Sequence, residues 1–587
     1  MCGIAGVMTT RRDGPNPVML ATMADALSHR GPDGRRHYVV GNVGFVHNRL
    51  AIIDLETGDQ PLFEPGGAAL VANGEIYNYV ELRKELHGVN FVTNSDCEPP
   101  LYLYRRDGVA FVEKLRGMYA LAVHDPKAGQ LVLARDPFGI KPLYYVEGRH
   151  GIAFASEPQA LIRAGLASAT IDPGRQAELL ELQFTTRSDT IFPEIKRVLP
   201  GETIVAIDGK IVERSRRAAL PAEGPAEWDE AEALERLEKA LVDSVEVHQR
   251  ADVPYGMFLS GGIDSSVLLA LMARLNTRPV VALTAYFPES GAHDERGAAK
   301  AAARAVGAEH IEVEVRARDF WSLLPHVAAA MDDPAADYAC VPTFKLAARA
   351  REAGLKVVLS GEGGDELFAG YGRYRSIMRP WWLGGRAMRR KGIFDGLGVL
   401  HAKTMGWRDG IAAAEATERS GVRTRLQVAQ AVDCADWLPN DLLTKIDRCL
   451  MAHGVEGRTP FLDPAVAQIA FRLPDRLKIR EHKGKWLLRR WLDQAMPGSG
   501  AFTAKRGFTV PVAEWIHAEG ARLGPLVAAQ PGVAEIADQA AVAKLFRDPR
   551  KHAGFAAWTL LFYALWHRRH ILGRPVDGDV FECLEAR

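Results

Sequence analysis

The sequence has no excess charge of either sign. Lys plus Arg and Asp plus Glu both number 73 in 587 residues, so the formal net charge is zero. That argues against a broad basic face for nucleic acid or for an anionic membrane surface. Cysteine is scarce and scattered: Cys2, Cys97, Cys340, Cys434, Cys449 and Cys583, with no CxxC pair. Neither a disulfide framework nor a cysteine zinc site is expected, and a reducing cytoplasm fits. Long apolar runs are missing too. The most membrane-like stretch, "GFAAWTLLFYALWHRRH" from Gly554, has an apolar part shorter than the roughly 18–20 residues a span needs. It reads as a buried helix whose last turn carries Arg568 and Arg569, where cations suit the negative helix end. No basic segment followed by a long apolar core opens the chain, so a secretory signal is not expected. No internal repeat or low-complexity tract occurs.

What is present is ordinary globular composition, 47% hydrophobic and 25% charged, over a length that suggests about two to four domains. The first 200 or so residues carry short β-type runs such as "VGFVHNRLAIID", "GAALVANGEIYNY" and "QLVLARD", separated by Gly, Asp, Asn and Pro. They predict a mostly antiparallel sheet domain, interrupted by helices such as "YVELRKELHG" with Gly88 as C-cap. "RAALPAEGPAEWDE", from Arg217, reads as a linker. Helical periodicity then begins, with Leu234, Leu237, Leu241 and Val245 on one face. Beyond it, "YGMFLS", "VVALTAYF", "HIEVEV" and "KVVLS" alternate with helical stretches, which predicts a parallel sheet with crossover helices. From about residue 370 the chain reads as mostly helical. The expected division is 2–215, a linker at 216–228, and 229–587.

The most informative stretch is "MFLSGGIDSSVLLALMARL". An apolar strand ends at Leu259, Ser260, Gly261 and Gly262 follow, and Asp264, Ser265 and Ser266 open a helix. Two glycines allow close backbone approach, and a helix N-terminus offers free N–H groups to phosphate. "SGG" alone would be a tight turn with an N-cap; the full S-G-G-I-D-S-S after a strand predicts phosphate binding. It lacks the GK[ST] ending of a Walker loop. Asp264 beside a phosphate calls for a cation between them, so Mg²⁺ is implied. The loop resembles that of enzymes that split ATP into AMP and pyrophosphate. A second strand end, "KVVLSGEGGDELFAGY", gathers Glu362, Asp365 and Glu366. Loops at the C-terminal ends of parallel strands converge on one crevice, so Asp264 and Asp365 could share one Mg²⁺.

"MCGIAGVM" opens the chain. Cys2 there is an accident of composition, a lipid attachment site, or a nucleophile exposed once Met1 is removed. The ordered set "MCGIAG", "SHRGPDG", "NRLAIIDL", "NGEIYNY", "TNSDCE", "ARDPFGIKPLYY", "LSGGIDSS", "VVLSGEGGDELFAGY", "LLTKIDRCLMAHGVEGRTPFLD", "GKWLLRR" and "KRGFTVP" resembles the glutamine-dependent asparagine synthetases over nearly the whole chain. The resemblance implies an α/β protein. Its N-terminal half would be an αββα N-terminal-nucleophile hydrolase, and its second half a doubly wound ATP-pyrophosphatase domain with a helical C-terminal part. It makes Cys2 the nucleophile, with the freed α-amine as base. The glutamine pocket falls on Arg49, Leu50, Ile52, Ile53, Asn73, Gly74, Glu75 and Asp96. Arg49 would pair with the α-carboxylate, Glu75 and Asp96 would hold the α-ammonium, and Asn73 with the Gly74 N–H would form the oxyanion hole. Leu259, Ser260, Gly261, Gly262, Asp264, Ser265, Ala285, Ser360 and Gly361 fall on ATP-contacting positions, and Asp264 and Asp365 on Mg²⁺ ligands. Glu362 matches the acidic residue linked to forming and aminating the aspartyl-adenylate. Lys485 matches a lysine expected to stabilise charge on pyrophosphate or intermediate.

The sequence departs from the family in "TAYFPES", where Tyr286 and Pro288 replace smaller residues beside Ala285, and in the Pro pair of "EPPLYLY". The implied substrates are ATP, glutamine and aspartate, with no nucleic-acid or membrane partner; oligomeric state stays open, a homodimer included. The acceptor is not legible: a peptide or sugar acid would need the same loops. An amidotransferase acting on a sugar phosphate or phosphoribosyl donor would not need "SGGIDSS". A β-lactam-forming enzyme would not need Cys2 with "NGE". A tRNA-modifying ATP pyrophosphatase would call for a basic stretch, and zero net charge gives it no support.

Overall fold

The computed structural model describes the chain except residues 1, 11–13, 289, 292–293, 381, 383–387, 403, 420, 504–508 and 587. Its N-terminal unit is built on two six-stranded sheets. The first runs in the order Lys196–Arg197, Tyr144–Gly148, Gly151–Ala155, Gly3–Met8, Val43–Arg49 and Gly34–Val40. The second runs Lys210–Arg216, Glu202–Ile207, Gln130–Arg135, Gly117–Asp125, Ala69–Ile76 and Leu62–Phe63. Every pairing within them is antiparallel. Two-residue turns account for the tight hairpins: Gly41 takes φ +59 between Val40 and Val43, the positive φ that such a turn requires.

Strand alternation sorts the apolar side chains into layers. Ile4, Phe45 and Phe154 of the first sheet meet Val71, Ala120 and Leu133 of the second in one buried core. Leu20 and Met23 of helix Pro17–Ala26 cover the outer side of the first sheet. Leu101 and Tyr104 of helix Glu98–Asp107 cover the second. The result is helix, sheet, sheet, helix. The helix read in "YVELRKELHG" spans Tyr79–Glu85 and is capped at Leu86. Gly88 is left-handed but two residues further on.

The C-terminal unit holds a five-stranded parallel sheet in the order Glu309–Glu314, Val281–Tyr286, Tyr255–Phe258, Val357–Leu359 and Glu456–Arg458. The first four are the strands expected from the sequence. The fifth, Glu-Gly-Arg, has no β-type composition and is a strand because it pairs with Val357–Leu359. Tyr255–Phe258 lies between strands that follow it in sequence on either side, so the order reverses there, the place where a ligand crevice opens. Leu237, Leu241 and Val245 of helix Glu230–His248 are buried. Helix Lys551–His570 is buried along most of its length, with Trp558 donating to Ala336 O at 2.7 Å and Trp566 to Met331 O at 2.9 Å. No helix among the described residues is long and apolar enough to cross a membrane. Asp433–Leu442 forms a π-helix with Pro439 inside it, a feature the sequence pattern does not separate from the α-helices around it.

Two candidate active sites

Cys2 enters strand Gly3–Met8 with 8% of its surface exposed. Its main-chain N–H donates to Asn73 Oδ1 at 3.0 Å, across from the second sheet. The same Asn73 keeps a buried Nδ2 with no hydrogen-bond partner, a donor pointing at no protein group beside the thiol's own residue. Gly74 follows; a Cβ there would stand 2.2 Å from Met118 O, so close strand packing explains the glycine. Burial pushes the Cys2 thiol up from its usual range, against the pull of Arg49 and a Leu50 backbone hydrogen bond. Activating this thiol therefore takes a base.

Glu75 and Asp96 are both buried, 4% and 5% exposed. Burial, and then each other's proximity, drives Glu75 well above the ordinary carboxyl range; burial raises Asp96 as well. Asp96 accepts from Ile76 N at 2.7 Å. Leu50 and Ile52 are buried and Ile53 is half-buried. Arg49 is held at the rim, donating to Asp59 Oδ1 at 2.9 Å and to Asp54 O. Sequence reasoning missed a contribution from the other unit. Arg458, fully buried on strand Glu456–Arg458, stands 3.3 Å from Glu75 Oε1 and 2.6 Å from Glu456 Oε1. Both residues lie in "VEGRTPFLD", whose composition gives no hint of this contact.

At the second site, Leu259 directly follows strand Tyr255–Phe258, with its N–H on Leu283 O at 2.8 Å. Ser260, Gly261 and Gly262 turn the chain into helix Ile263–Leu275. Gly261 takes φ +69, and a Cβ there would meet Ala299 N at 2.9 Å. Ser265 Oγ lies 3.2 Å from Ser260 Oγ, and the Gly262 N–H donates to Ser260 Oγ at 3.2 Å. The loop is thus preformed, with its helix N-terminus facing the crevice. Ala285 is buried near the end of strand Val281–Tyr286. Ser360, whose N–H donates to Arg458 O at 2.8 Å, leads through Gly361 into the acidic turn beside this loop. A Cβ on Gly361 would stand 3.0 Å from Asp264 Cβ, and one on Gly364 2.5 Å from Asp264 Cγ. The two strand-end loops are in direct contact.

Asp264 and Asp365 do face one cation, and it is the Lys485 ammonium, 2.5 Å from Asp264 Oδ2 and 2.7 Å from Asp365 Oδ1. Burial would lower Lys485, but the two carboxylates outweigh it and raise it. Burial pushes Asp264 up to about 6, against the pull of Lys485. Lys485 itself is left-handed at φ +57, at the start of helix Trp486–Ala495, a conformation non-glycine residues keep only when the surroundings enforce it. Asp264 Oδ1 remains buried without a partner. That orphan oxygen and a second carboxylate are a hard-donor pair suited to a dication that takes its remaining ligands from water and phosphate. Among the described residues no group of three or more His, Cys, Asp or Glu side chains is gathered for a metal. Glu362 is raised by burial and has Lys445 Nζ at 3.9 Å; Lys445 in turn holds Asp337 at 2.7 Å. Of "KRGFTVP", Lys505 to Phe508 lie outside the described residues.

The family profile described as asparagine synthase matches residues 236–568, and that of the glutamine amidotransferase domain matches 1–216. A relative from Mycobacterium tuberculosis (strain ATCC 25618 / H37Rv) is 34% identical over 635 residues, covering 97% of each chain. The chain belongs to the glutamine-hydrolysing asparagine synthetase family. The relative named asparagine synthetase [glutamine-hydrolyzing] 1 in Bacillus subtilis (strain 168) is 31% identical, covering 99% of this chain and 98% of its own. Asparagine synthetase B [glutamine-hydrolyzing] of Escherichia coli (strain K12) is 29% identical over 88% of this chain and 83% of its own. As a member of this asparagine synthetase family the chain is a ligase that works on small molecules, with a doubly built architecture: antiparallel amidotransferase sheets and a parallel synthetase sheet.

Proposed function

We propose that the chain amidates L-aspartate to L-asparagine with glutamine as nitrogen source and ATP as energy source. The observation that carries this reading is the contact of two acidic strand-end loops, one from a phosphate-type turn, around Asp264, Asp365 and Lys485, in a chain whose other site presents Cys2 against Asn73. Residues 2–215 form the glutaminase part, 216–228 the linker and 229–587 the synthetase part.

With Met1 removed, the Cys2 nitrogen held by Asn73 Oδ1 becomes the α-amine. It takes the thiol proton; the sulfur adds to the glutamine side-chain carbonyl, and the oxygen's developing charge is met by Asn73 Nδ2 and the Gly74 N–H. The C–N bond breaks, ammonia leaves with the proton, and water releases glutamate from the thioester. Arg49 exchanges part of its Asp59 pairing for the glutamine α-carboxylate, and Glu75 and Asp96 take the α-ammonium.

At the second site the aspartate β-carboxylate attacks the α-phosphorus of ATP and pyrophosphate leaves. The phosphates rest on the Ser260–Ser265 turn, with Leu259, Ala285, Ser360 and Gly361 against the nucleoside. Asp264 and Asp365 would hold Mg²⁺, which supplies neutralisation of phosphate charge; Lys485 then turns from the carboxylates toward the phosphates. Ammonia, carried inside the protein from the first site, attacks the acyl-adenylate, Glu362 takes the proton, and AMP leaves. The six free, buried cysteines fit a cytoplasmic setting.

The reading is tested by assaying AMP and pyrophosphate with aspartate against a panel of other acids. Absence of aspartate-dependent AMP, with AMP from another acid, would remove the asparagine assignment and leave the amidotransferase one. A second reading, a larger carboxylate as acceptor, is favoured by a cavity of about 610 Å³ lined by Tyr338, Glu514, Arg550, Lys551, Phe555 and Trp558. Tyr338 directly follows the Asp337 that holds Lys445 beside Glu362, and the volume is in the range of pockets for ligands well above amino-acid size.

A further inference from the structure

The two units share a seam of buried charge that the reaction just described does not use. Arg30, with no exposed surface, lies in the turn after helix Pro17–Ala26. Its Nε donates to the main-chain carbonyl of Cys2 at 3.2 Å. Its two terminal nitrogens grip Asp447 of the synthetase helix Leu443–Met451 at 2.8 and 3.0 Å, a two-pronged pairing that fixes direction as well as distance. The remaining contact is with Glu157 Oε1 at 2.7 Å, an oxygen also approached by His29 at 3.1 Å and Arg448 at 3.6 Å. Asp447 is held from behind by Arg448 at 3.0 Å, and Arg448 by Asp332 at 2.9 Å. Burial opposes ionisation of Asp447, yet Arg30 outweighs it and keeps the carboxyl below its ordinary range.

The turn that carries Arg30 has little room to adjust, whereas Cys2, the residue before Gly3, has its carbonyl held by the Arg30 guanidinium. A Cβ on Gly3 would meet Leu27 Cβ at 2.9 Å, and one on Gly31 would meet Asn48 O at 2.2 Å. The turn bearing Arg30 is therefore packed against the strand that begins at Gly3 and the strand that ends at Arg49. The guanidinium is the adjustable part, and its aim is set by Asp447. Without the fork, Arg30 would follow Glu157, whose oxygen is already shared.

We propose that Asp447 is a positioning residue for the glutamine-cleaving centre: acting through Arg30, the synthetase unit fixes the main chain of the nucleophile. The inference rests on the proposed role of Cys2. Arg30 touches the nucleophile's backbone and no proposed substrate contact, so the effect belongs on turnover and not on glutamine binding. Misplacing a nucleophile by about 1 Å can cost as much as 10²-fold in rate.

The test is Asp447→Asn in the full-length enzyme, which keeps shape and one acceptor. The expected result is a roughly tenfold lower kcat for glutamate release with KM for glutamine within twofold. The rate at which a glutamine-mimicking diazoketone alkylates Cys2 should fall by the same factor, while AMP formation from ammonium chloride stays within twofold. Asp333→Asn is the matched control: Asp333 makes an equally buried pair across the same seam, with Arg197 at 2.7 Å and Tyr144 at 2.8 Å, but does not reach Cys2. It should leave kcat for glutamate release within twofold. Should Asp447→Asn fail to fold, Asp447→Glu keeps the charge but displaces the fork, and the alkylation rate is read in that variant. Equal kcat losses in Asp447→Asn and Asp333→Asn, or an unchanged alkylation rate, would overturn the proposal. If the wild type itself releases no glutamate, it is the reading of Cys2 that fails.

Discussion

The Lys485 ammonium and the Asp264 carboxylate meet at 2.5 Å, although 221 positions separate them in sequence. Asp365 closes the triangle at 2.7 Å from the same ammonium. A Cβ on Gly370 would lie 1.7 Å from Asp365 Oδ1 and 2.3 Å from Lys485 Cε, so glycine there is what lets the lysine enter. A buried carboxylate and a half-buried one side by side disfavour each other's ionisation unless a cation lies between them. The lysine supplies one; on the proposed function, a dication brought with ATP would take over that role.

On the proposed function, Mg²⁺ dependence is a direct probe of the acidic pair. Asp365→Asn removes one of the two carboxylates while preserving size. The Mg²⁺ concentration giving half-maximal pyrophosphate release should rise at least tenfold, with glutamate release at the Cys2 site unchanged within twofold. An unchanged Mg²⁺ titration would remove Asp365 from the metal assignment.

Glu362 lies in the same acidic turn as Asp365 and feels Lys485 as well. Its carboxyl is raised by burial and balanced by Lys445 at 3.9 Å. A carboxylate so placed can accept a proton from attacking ammonia. Glu362→Gln should lower asparagine formation from both glutamine and ammonia by a factor of about 10² or more, and leave glutamate release measurable. Normal synthesis in this variant would show that the proton goes elsewhere.

Much of this arrangement was legible in the sequence, for local reasons. "LSGGIDSS" declares itself because strand end, glycines and helix start are contiguous. The four expected parallel strands are apolar runs between helical stretches, and the antiparallel unit is punctuated by turn residues. What stayed hidden depends on pairs brought together only by folding. Arg30 and Asp447 stand 417 positions apart, and Arg458 reaches Glu75 from a strand with no β composition. Lys485 was marked for the phosphates; its left-handed backbone and its pairing with both acids cannot be read from residue type. Arg49 was expected to await a carboxylate, and Asp59 already provides one.

Several histidines make the fold sensitive to acid. Burial pushes His248 down to about 3; it is 1% exposed, packs against Tyr77 with the rings tilted and their centroids 4.0 Å apart, and contacts Ser244 O at 2.8 Å. His570 and His47 are likewise pushed to about 3. The sign follows from proton counting. Below the unfolded value of about 6.5 the unfolded chain binds protons that the folded chain refuses, so stability is lost as pH falls from about 6.5 toward 3. One such histidine costs about 2 kcal/mol at pH 5. The drop in thermal midpoint between pH 7.5 and pH 5 should be smaller in His248→Gln than in the wild type. Parallel pH curves for the two proteins would contradict the assignment.

The strongest single test lies at the start of the chain. Cys2→Ala should abolish glutamate release and glutamine-dependent synthesis, because no other cysteine can carry a mature N-terminal amine; even Cys97, which sits beside Asp96 in the same pocket, has only an internal peptide nitrogen. Synthesis from ammonium chloride should persist, since Asp264, Asp365, Glu362 and Lys485 all belong to the second unit. That residual activity should climb as pH approaches the pKa of ammonium, because only free ammonia can attack an acyl-adenylate. Blocking removal of Met1 should reproduce the loss with the thiol still present, because the nitrogen that Asn73 Oδ1 holds at 3.0 Å would then be an amide and no base. The two variants separate the roles: one lacks the nucleophile, the other lacks its proton acceptor. Glutamate release surviving in Cys2→Ala would disprove the nucleophile, and its survival with Met1 retained would move the base to another group. Loss of the ammonia reaction in a folded Cys2→Ala protein would mean that the two sites do not operate separately.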